Sequence, residues 1–340
     1  MEEIYFGTYT KRQSQGIYKA DFDNETGQLS NLELLAEQEN PTYLTFSPDD
    51  CLYSIASHQD QGGVASYSAG FQPLNTVLED GAAPCHLHLG WDDKRDLVFS
   101  ANYHTGQALV YKRQADGSLD LVNRIVHQGS GPHANQGHAR VHFADISPDH
   151  YLLTCDLGTD GLTSYALNET GLVQPIYNYK FPAGSGPRHL AFHPIFKHAF
   201  VVCELDSSVH NLIYQGCGNF EAYQVITTLL DDYQGFNAPA AIKVTSDGWF
   251  VYVSNRGHNS IACYRFILDG YIHLIDVVPT HGETPRDICL SADENYLLVA
   301  HQDSDNVTVF RRNLDTGRLS EVSHDFQVPE AVCLVNRPLP

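Results

Sequence analysis

The stretch Pro187-Arg-His-Leu-Ala-Phe-His-Pro194 and the apolar run Ala199-Phe-Val-Val-Cys203 that follows it decide the fold. Apolar residues alternate in the first segment at a period of two, which is typical of a β-strand. The same layout, a start residue with an alternating segment and then an apolar run, recurs every 43 to 57 residues. Its starts are Pro41, Pro84, Val141, Pro187, Pro239, Pro285 and, in a shorter form, Pro329.

A second marker, a glycine in a turn-like context, repeats with the same spacing. Three of these glycines follow Asn or Asp closely, in Asn24-Glu-Thr-Gly27, Asn168-Glu-Thr-Gly171 and Asp315-Thr-Gly317. Glycine after Asn or Asp supplies the positive φ that a hairpin turn requires. We therefore expect a hairpin turn at each of the seven positions, which are Gly27, Gly70, Gly117, Gly171, Gly218, Gly270 and Gly317.

Seven units of about four short strands each predict an all-β fold, a seven-bladed β-propeller. The last unit is incomplete, since it starts at Pro329 and runs out at Pro340. The missing strands stand at the other end, in Ile4–Tyr9 and Gly16–Ala20. A blade shared by both termini would close the ring and remove exposed sheet edges. Because no linker-like stretch interrupts the repeat, we predict one propeller domain over residues 1–340.

The charge and cysteine content of the chain limit the classes of molecule that it can bind and the compartment in which it works. The 340 residues contain 20 Lys and Arg against 41 Asp and Glu, which gives a formal charge of −21. Such a chain repels polyanions on average, so we expect neither nucleic acid nor a membrane surface as partner. There are eight cysteines, none in a CxxC pair, and most lie in strand-like apolar runs. This usage is typical of reduced, buried thiols, and with no signal-like start it indicates a cytoplasmic protein.

The repeat also predicts where a site would form. The first two strands of a blade are antiparallel, so the start of strand one and the end of strand two meet at one face. His142, Arg188 and Arg286 lie just after blade starts, where a scaffold would carry apolar or small residues. The aligned ends of strand two carry Asn102, Asp156, Glu204 and Arg256.

We expect His142, Arg188, Glu204, Arg256 and Arg286 to converge at one mouth of the ring. Arginine binds carboxylate or phosphate through paired hydrogen bonds, and His and Glu can exchange protons near neutral pH. This combination indicates acid–base chemistry on a small anionic substrate. The alternative is that polar residues at blade ends only satisfy neighbouring loops.

These residues and their flanks carry a resemblance to a known family. The segments are Gly7-Thr-Tyr-Thr10, Asn40-Pro-Thr-Tyr-Leu44, Asp156-Leu-Gly-Thr-Asp160, Gly186-Pro-Arg-His-Leu-Ala-Phe-His-Pro194 and Ser254-Asn-Arg-Gly-His-Asn-Ser-Ile261. Over nearly its whole length the chain resembles the lactonase family of seven-bladed propellers, which contains propeller-type 6-phosphogluconolactonases and carboxymuconate lactonizing enzymes.

The resemblance implies a metal-independent lactone hydrolase with His142, Arg188, Glu204 and Arg256 as catalytic residues. We expect Arg286, His189, Asp156 and Asn102 to bind substrate. The family usually has a Pro-His-Pro-His run near His142, whereas this chain has Gly137-His-Ala-Arg-Val-His142. Arg140 therefore replaces the earlier histidine, or the histidine is displaced to His138.

The expected reaction is hydrolysis of 6-phosphoglucono-1,5-lactone to 6-phosphogluconate, a step of the pentose phosphate pathway. Two alternatives stay open. One is a lactonase or cyclase that acts on another anionic lactone, such as a muconate-type acid. The other is a non-catalytic propeller that binds a metabolite or a protein, because the same fold hosts many functions.

We expect no cofactor and no metal. His86-Leu-His88 and the group His133, His138 and His142 would suit zinc in part. However, neither has a Cys or carboxylate at ligand spacing, and a chain with 18 histidines contains such pairs by chance. A Gly-x-Ser-x-Gly elbow is also missing from the sequence, which disfavours a serine hydrolase.

Overall fold

The computed structural model describes residues 1–92, 95–230 and 233–337, and only the backbone of residues 91, 92 and 95. In these ranges the chain forms 28 β-strands and one short 3₁₀ turn, Ala134–Gln136. The strands form seven antiparallel sheets of four. This is the composition of a seven-bladed β-propeller, so the predicted fold class is confirmed. Within the same ranges, no helix is long and apolar enough to cross a membrane.

Six sheets take four consecutive strands, and the remaining one joins the two ends of the chain. That sheet has the order β28-β1-β2-β3. Its strands are β1 (Glu2–Thr8), β2 (Gly16–Asp23), β3 (Gln28–Glu37) and β28 (Ala331–Asn336). Gly7 of β1 pairs with Cys333 of β28, which confirms that one blade is built from both termini.

The next three sheets follow in chain order. The first contains β4 (Leu44–Phe46), β5 (Leu52–His58), β6 (Gln61–Tyr67) and β7 (Pro73–Asp80). The second contains β8 (His86–Asp92), β9 (Arg95–Asn102), β10 (Gln107–Arg113) and β11 (Leu119–Val126). The third contains β12 (Val141–Ile146), β13 (Leu152–Asp156), β14 (Gly161–Leu167) and β15 (Val173–Lys180).

The last three sheets continue the series. The first contains β16 (Pro187–Phe192), β17 (His198–Cys203), β18 (Ser208–Gly216) and β19 (Asn219–Thr227). The second contains β20 (Ala238–Val244), β21 (Phe250–Arg256), β22 (Ser260–Phe266) and β23 (Ile272–Pro279). The third contains β24 (Pro285–Leu290), β25 (Tyr296–His301), β26 (Asn306–Arg312) and β27 (Leu319–Gln327). Each first strand begins within three residues of a predicted start.

Backbone contacts divide the chain into two units. The mid-chain unit comprises Gln38–Arg188 and Tyr214–Glu221 and contains the three sheets from β4 to β15. The terminal unit comprises Met1–Glu37, His189–Ile213 and the described residues between 222 and 337. It contains the sheet that joins both termini, the two sheets from β20 to β27, and the larger part of the β16–β19 sheet. A single domain over 1–340 stays a prediction.

The hydrophobic core of each unit lies between neighbouring sheets. In the mid-chain unit, Tyr53 and Val64 of one sheet pack with Val98 and Tyr111 of the next. Second strands such as β13 are buried along their whole length, and third strands such as β14 are buried over most of theirs. Fourth strands are partly exposed and mix polar with apolar residues. The sheets are therefore held to each other mainly by apolar burial.

The repeated glycines lie in the turns between the third and fourth strands. Six of the seven have positive φ, from +70° at Gly317 to +92° at Gly270, as predicted. Packing adds a second reason for glycine there: a Cβ at Gly317 would lie 2.1 Å from the Phe250 ring on the neighbouring sheet. Gly70 also lies in the predicted turn, between β6 and β7, but there the positive φ falls on Phe71 instead.

Candidate active site

Antiparallel pairing brings the start of a first strand and the end of a second strand together within a sheet, as the sequence predicted. The observed pairs are Val141 with Asp156, Ala238 with Arg256, and Pro285 with His301. In the mid-chain unit the predicted residues at or beside such ends are Asn102, His142, Asp156 and Arg188. In the terminal unit they are His189, Glu204, Arg256 and Arg286.

Glu204 and Arg256 form an ion pair in the terminal unit. Arg256 Nη2 lies 2.6 Å from Glu204 Oε2, and the two side chains are 14% and 13% exposed. Arg256 Nε also donates to the carbonyl of Ala238 at 2.9 Å, which fixes the plane of the guanidinium. The pair therefore combines a carboxylate that can accept a proton with a cation that can face a developing oxyanion.

Strand bulges set the direction of two predicted side chains. The register of β12 shifts between Val141 and Phe143, which places His142 at the irregularity. The register of β24 shifts in the same way between Pro285 and Asp287, around Arg286. A bulge takes the extra residue out of the regular alternation and re-aims its side chain, and bulges are frequent next to active sites. The sequence contains no signal for these two bulges.

The side chain of His142 is buried against an aromatic ring that also carries a cation. The ring centroids of His142 and Tyr103 are 5.8 Å apart in an edge-to-face arrangement. The guanidinium carbon of Arg140 lies 4.5 Å from the centroid of the same Tyr103 ring. Arg140 and His142 therefore both lie against the Tyr103 ring. His138 instead contacts the carbonyl of Ala139 through Nδ1.

Asp156 is a buried carboxylate held by groups of the protein. It is 0% exposed and accepts from the backbone N–H groups of Arg140 at 2.7 Å and Gly158 at 2.9 Å. Its second oxygen lies 3.0 Å from Nδ1 of His127. Burial alone would raise the pKa of Asp156, but the contacts with His127 and Arg140 outweigh burial and lower it. These contacts organise the chain on both sides of β12, and a contact with substrate stays a prediction.

Asn102 has a comparable arrangement. Its Oδ1 accepts from the backbone N–H groups of His104 and Thr105, and its Nδ2 donates to the carbonyl of Ala82 at 2.7 Å. The side chain therefore fixes the turn after β9. Its predicted role in substrate binding is not tested by these contacts.

Arg188 is 2% exposed and directly follows a loop that is fixed by Asp160. The Asp160 carboxylate accepts from the backbone N–H groups of Gly184 and Gly186, both at 2.8 Å. It also accepts from Gln136 Nε2 at 2.7 Å. Asp160 stands in one of the segments that carry the family resemblance, but a sequence does not show which distant loop its carboxylate binds. His189, the next residue on β16, is likewise buried.

The histidines that suggested zinc do not form a metal centre among the described residues. His86 packs between the rings of Tyr43 and Phe143, whereas His88 Nε2 pairs with Asp145 at 2.7 Å. Within the described part of the chain, no group of three or more His, Cys, Asp or Glu side chains could hold a metal ion.

An open pocket of about 390 Å³ lies in the mid-chain unit, at the ends of β5 and β6. Glu39 and Asp60 are among its lining residues, and none of the predicted site residues is. Two carboxylates make this pocket a poor place for an anionic substrate.

The fold is a β-propeller with histidine, carboxylate and arginine side chains at or beside the ends of its strands. Comparison with known proteins specifies the family. The model of the family described as lactonase, seven-bladed beta-propeller, matches residues 3–336, and the chain belongs to this family. Lactone hydrolysis is therefore its class of reaction.

Three relatives illustrate the similarity. A 6-phosphogluconolactonase of Bacillus subtilis is 39% identical over 340 residues, which cover 97% of each chain. The crystal structure of a protein from Lactobacillus plantarum has a TM-score of 0.96 at 40% identity and covers 99% of each chain. The periplasmic gluconolactonase of Pseudomonas aeruginosa has a TM-score of 0.93 at 28% identity and covers 100% of this chain and 99% of its own.

Proposed function

We propose that the protein hydrolyses 6-phosphoglucono-1,5-lactone to 6-phosphogluconate. The observation that carries this proposal is the Glu204–Arg256 pair, a carboxylate and a guanidinium held 2.6 Å apart at a strand end. The similarity to the Bacillus subtilis 6-phosphogluconolactonase over nearly the whole of both chains supports the choice of substrate. The reaction would be the hydrolytic step of the pentose phosphate pathway.

The chemistry requires two proton transfers and the stabilisation of one oxyanion. Water attacks the lactone carbonyl and loses a proton to a general base, and the carbonyl oxygen becomes negative. The C–O bond to the ring oxygen then breaks, and that oxygen takes a proton and leaves as an alcohol. We assign the proton transfers to Glu204 and His142, one as base and the other as acid, and the oxyanion to Arg188 and Arg256.

The electrostatics of the pair fit this assignment. The Arg256 guanidinium holds the Glu204 carboxylate in position and can face the oxyanion that develops on the lactone carbonyl. A lactone carbonyl is already reactive toward water, so acid and base groups held in position suffice.

We also propose a cytoplasmic location. All eight cysteines are free, and six of them are buried. Unpaired, buried thiols are usual in a reducing compartment.

A second candidate substrate is the unphosphorylated lactone, because the Pseudomonas aeruginosa relative is a gluconolactonase. The test is proton release from freshly prepared 6-phosphogluconolactone, from glucono-1,5-lactone and from a muconate-type lactone, each corrected for uncatalysed hydrolysis. The proposal predicts the largest kcat/KM for the phosphorylated lactone. A larger kcat/KM for either other lactone would contradict the assigned substrate, and no acceleration of any of them would favour a binding propeller.

A further inference from the structure

Two cations, one from the loop between β1 and β2 and one from β24, lie close to the ring of Tyr9 in that loop. Lys11 Nζ lies 4.0 Å from the centroid of the Tyr9 ring. The guanidinium carbon of Arg286, which comes from β24, lies 5.5 Å from the same centroid. The chain has a net charge of −21, so two positive groups at one ring form a locally positive region in an otherwise negative protein.

Neither of these cations is neutralised within the described chain. No carboxylate of the described residues lies within ion-pair distance of Lys11 or Arg286. Their neighbour Arg12 differs, because it pairs with Asp305 at 2.6 Å and lies 3.7 Å from Glu330. Arg286 is oriented by a neutral group instead, since its Nη1 donates to Gln302 Oε1 at 3.0 Å. Both cations therefore keep their charge available for an external anion.

The loop is rigidly fixed, as a binding site requires. The buried carboxylate of Glu330 accepts from four consecutive backbone N–H groups at 2.8–3.2 Å, those of Lys11, Arg12, Gln13 and Ser14. Burial alone would raise the pKa of Glu330, but these hydrogen bonds lower it, so the carboxylate stays ionised. Glu330 is thus occupied by backbone donors and leaves the Lys11 side chain free of it.

The order of the sheets separates the two cations from the proposed reacting carboxylate, as the two ends of one substrate would require. β24, which carries Arg286, packs beside β20 and β21, and β21 ends at Arg256. β20 in turn packs beside β17, which Glu204 follows directly. Along the terminal unit the order is thus the Glu204 sheet, the Arg256 sheet, the Arg286 sheet and the sheet of the Tyr9 loop. The two unpaired cations are separated from the proposed reacting carboxylate by the intervening Arg256 sheet.

We propose that Lys11 and Arg286, which both lie against the Tyr9 ring, bind the phosphate group of a phosphorylated sugar lactone. This inference rests on the proposed function and adds to it the groups that select the phosphorylated substrate. A dianionic phosphate accepts several hydrogen bonds and gains most from two cations that lack other counter-ions.

The test compares Lys11→Met and Arg286→Met with wild type on 6-phosphogluconolactone and on glucono-1,5-lactone. Each variant is expected to lose about 10- to 100-fold in kcat/KM on the phosphorylated lactone, as for a charge-assisted hydrogen bond. On the unphosphorylated lactone we expect a change within about twofold. Arg265→Met is the matched control, because Arg265 also lies over an aromatic ring, that of Phe250 at 6.0 Å, but on a different strand of another sheet. Equal losses on both lactones, or no loss on either, would overturn the inference.

A binding measurement separates this inference from the proposed function. Line broadening of inorganic phosphate in ³¹P NMR is followed with wild type, both variants and the control. The inference predicts binding to wild type and Arg265→Met that is lost in Lys11→Met and Arg286→Met, even if wild type hydrolyses neither lactone. No phosphate binding to wild type, or undiminished binding to both variants, would contradict the subsite whatever the catalytic activity.

Discussion

Protonation of His301 is a perturbation whose effect on stability follows directly from the structure. The ring is 0% exposed, and its Nδ1 donates to the carbonyl of Asn306 at 3.0 Å. Within the described residues, its buried Nε2 has no hydrogen-bond partner. A proton added at Nε2 would bring a charge and an unsatisfied donor into the core. Burial lowers the pKa of His301 to about 4. The hydrogen bond to Asn306 opposes this change, and the nearby His281 adds to it.

The magnitude follows from the difference between the two states. In the unfolded chain the pKa of a histidine is about 6.5, so between pH 6.5 and 4 the unfolded chain binds more protons than the folded one. The stabilising contribution of neutral His301 is therefore complete above pH 6.5 and is lost as the pH falls toward 4. A difference of about 2.5 pKa units corresponds to about 3 kcal/mol of unfolding free energy.

The assay is urea unfolding at pH 7 and pH 4 for wild type and for His301→Asn. Asparagine keeps an N–H that can donate to Asn306 and does not titrate. Wild type should lose about 3 kcal/mol more than the variant over this interval. The exposed His58 provides the control, and His58→Asn should retain the wild-type pH dependence. If His301→Asn and wild type lose stability equally, the explanation of the low pKa is refuted.

The other predictions concern hydrogen-bonded carboxylates and one close packing contact. Asp160→Ala should lower kcat/KM and the urea midpoint, because the loop before Arg188 loses the hydrogen bonds that fix it. Asp160→Asn should retain more of both, since Asn tolerates the φ of +52° at this position. Glu330→Gln should lower the unfolding free energy by about 1–3 kcal/mol at pH 7 in urea, and by less in acid, where wild-type Glu330 itself becomes protonated. Gly282→Ala should cost about 1–3 kcal/mol by the same measurement, because its Cβ would lie 2.4 Å from the His301 ring.

The fold could be predicted from the sequence because its signals are local and repeated. Pro187 and Pro285 begin first strands as expected, and glycines such as Gly117 occupy the predicted turns. Gly70 shows the limit of the argument, since its spacing matched while the positive φ belongs to Phe71. Because the pattern occurs seven times along the chain, one such difference does not change the predicted fold.

The sequence predicted which strand ends carry the site residues, but it did not predict most of the contacts that those residues make. The repeat register placed Glu204 and Arg256 at the ends of second strands, and the structure adds the ion pair between them, which the sequence analysis did not specify. The anchoring of the Arg188 loop by Asp160 and of the Lys11 loop by Glu330 was missed, because both depend on hydrogen bonds between residues far apart in sequence. The local signals are a DLGTD segment and a single Glu after Pro329, and neither reveals its distant partner.

The claim that Glu204 takes part in lactone hydrolysis is tested most directly by the rate of proton release from 6-phosphogluconolactone at saturating substrate. Wild type is compared with Glu204→Gln and with Glu79→Gln, which alters the exposed Glu79–Arg124 pair at a fourth strand. The account predicts that Glu204→Gln, folded by circular dichroism, loses about 100-fold or more in kcat, while Glu79→Gln keeps the wild-type rate. A folded Glu204→Gln enzyme with the wild-type kcat would contradict it.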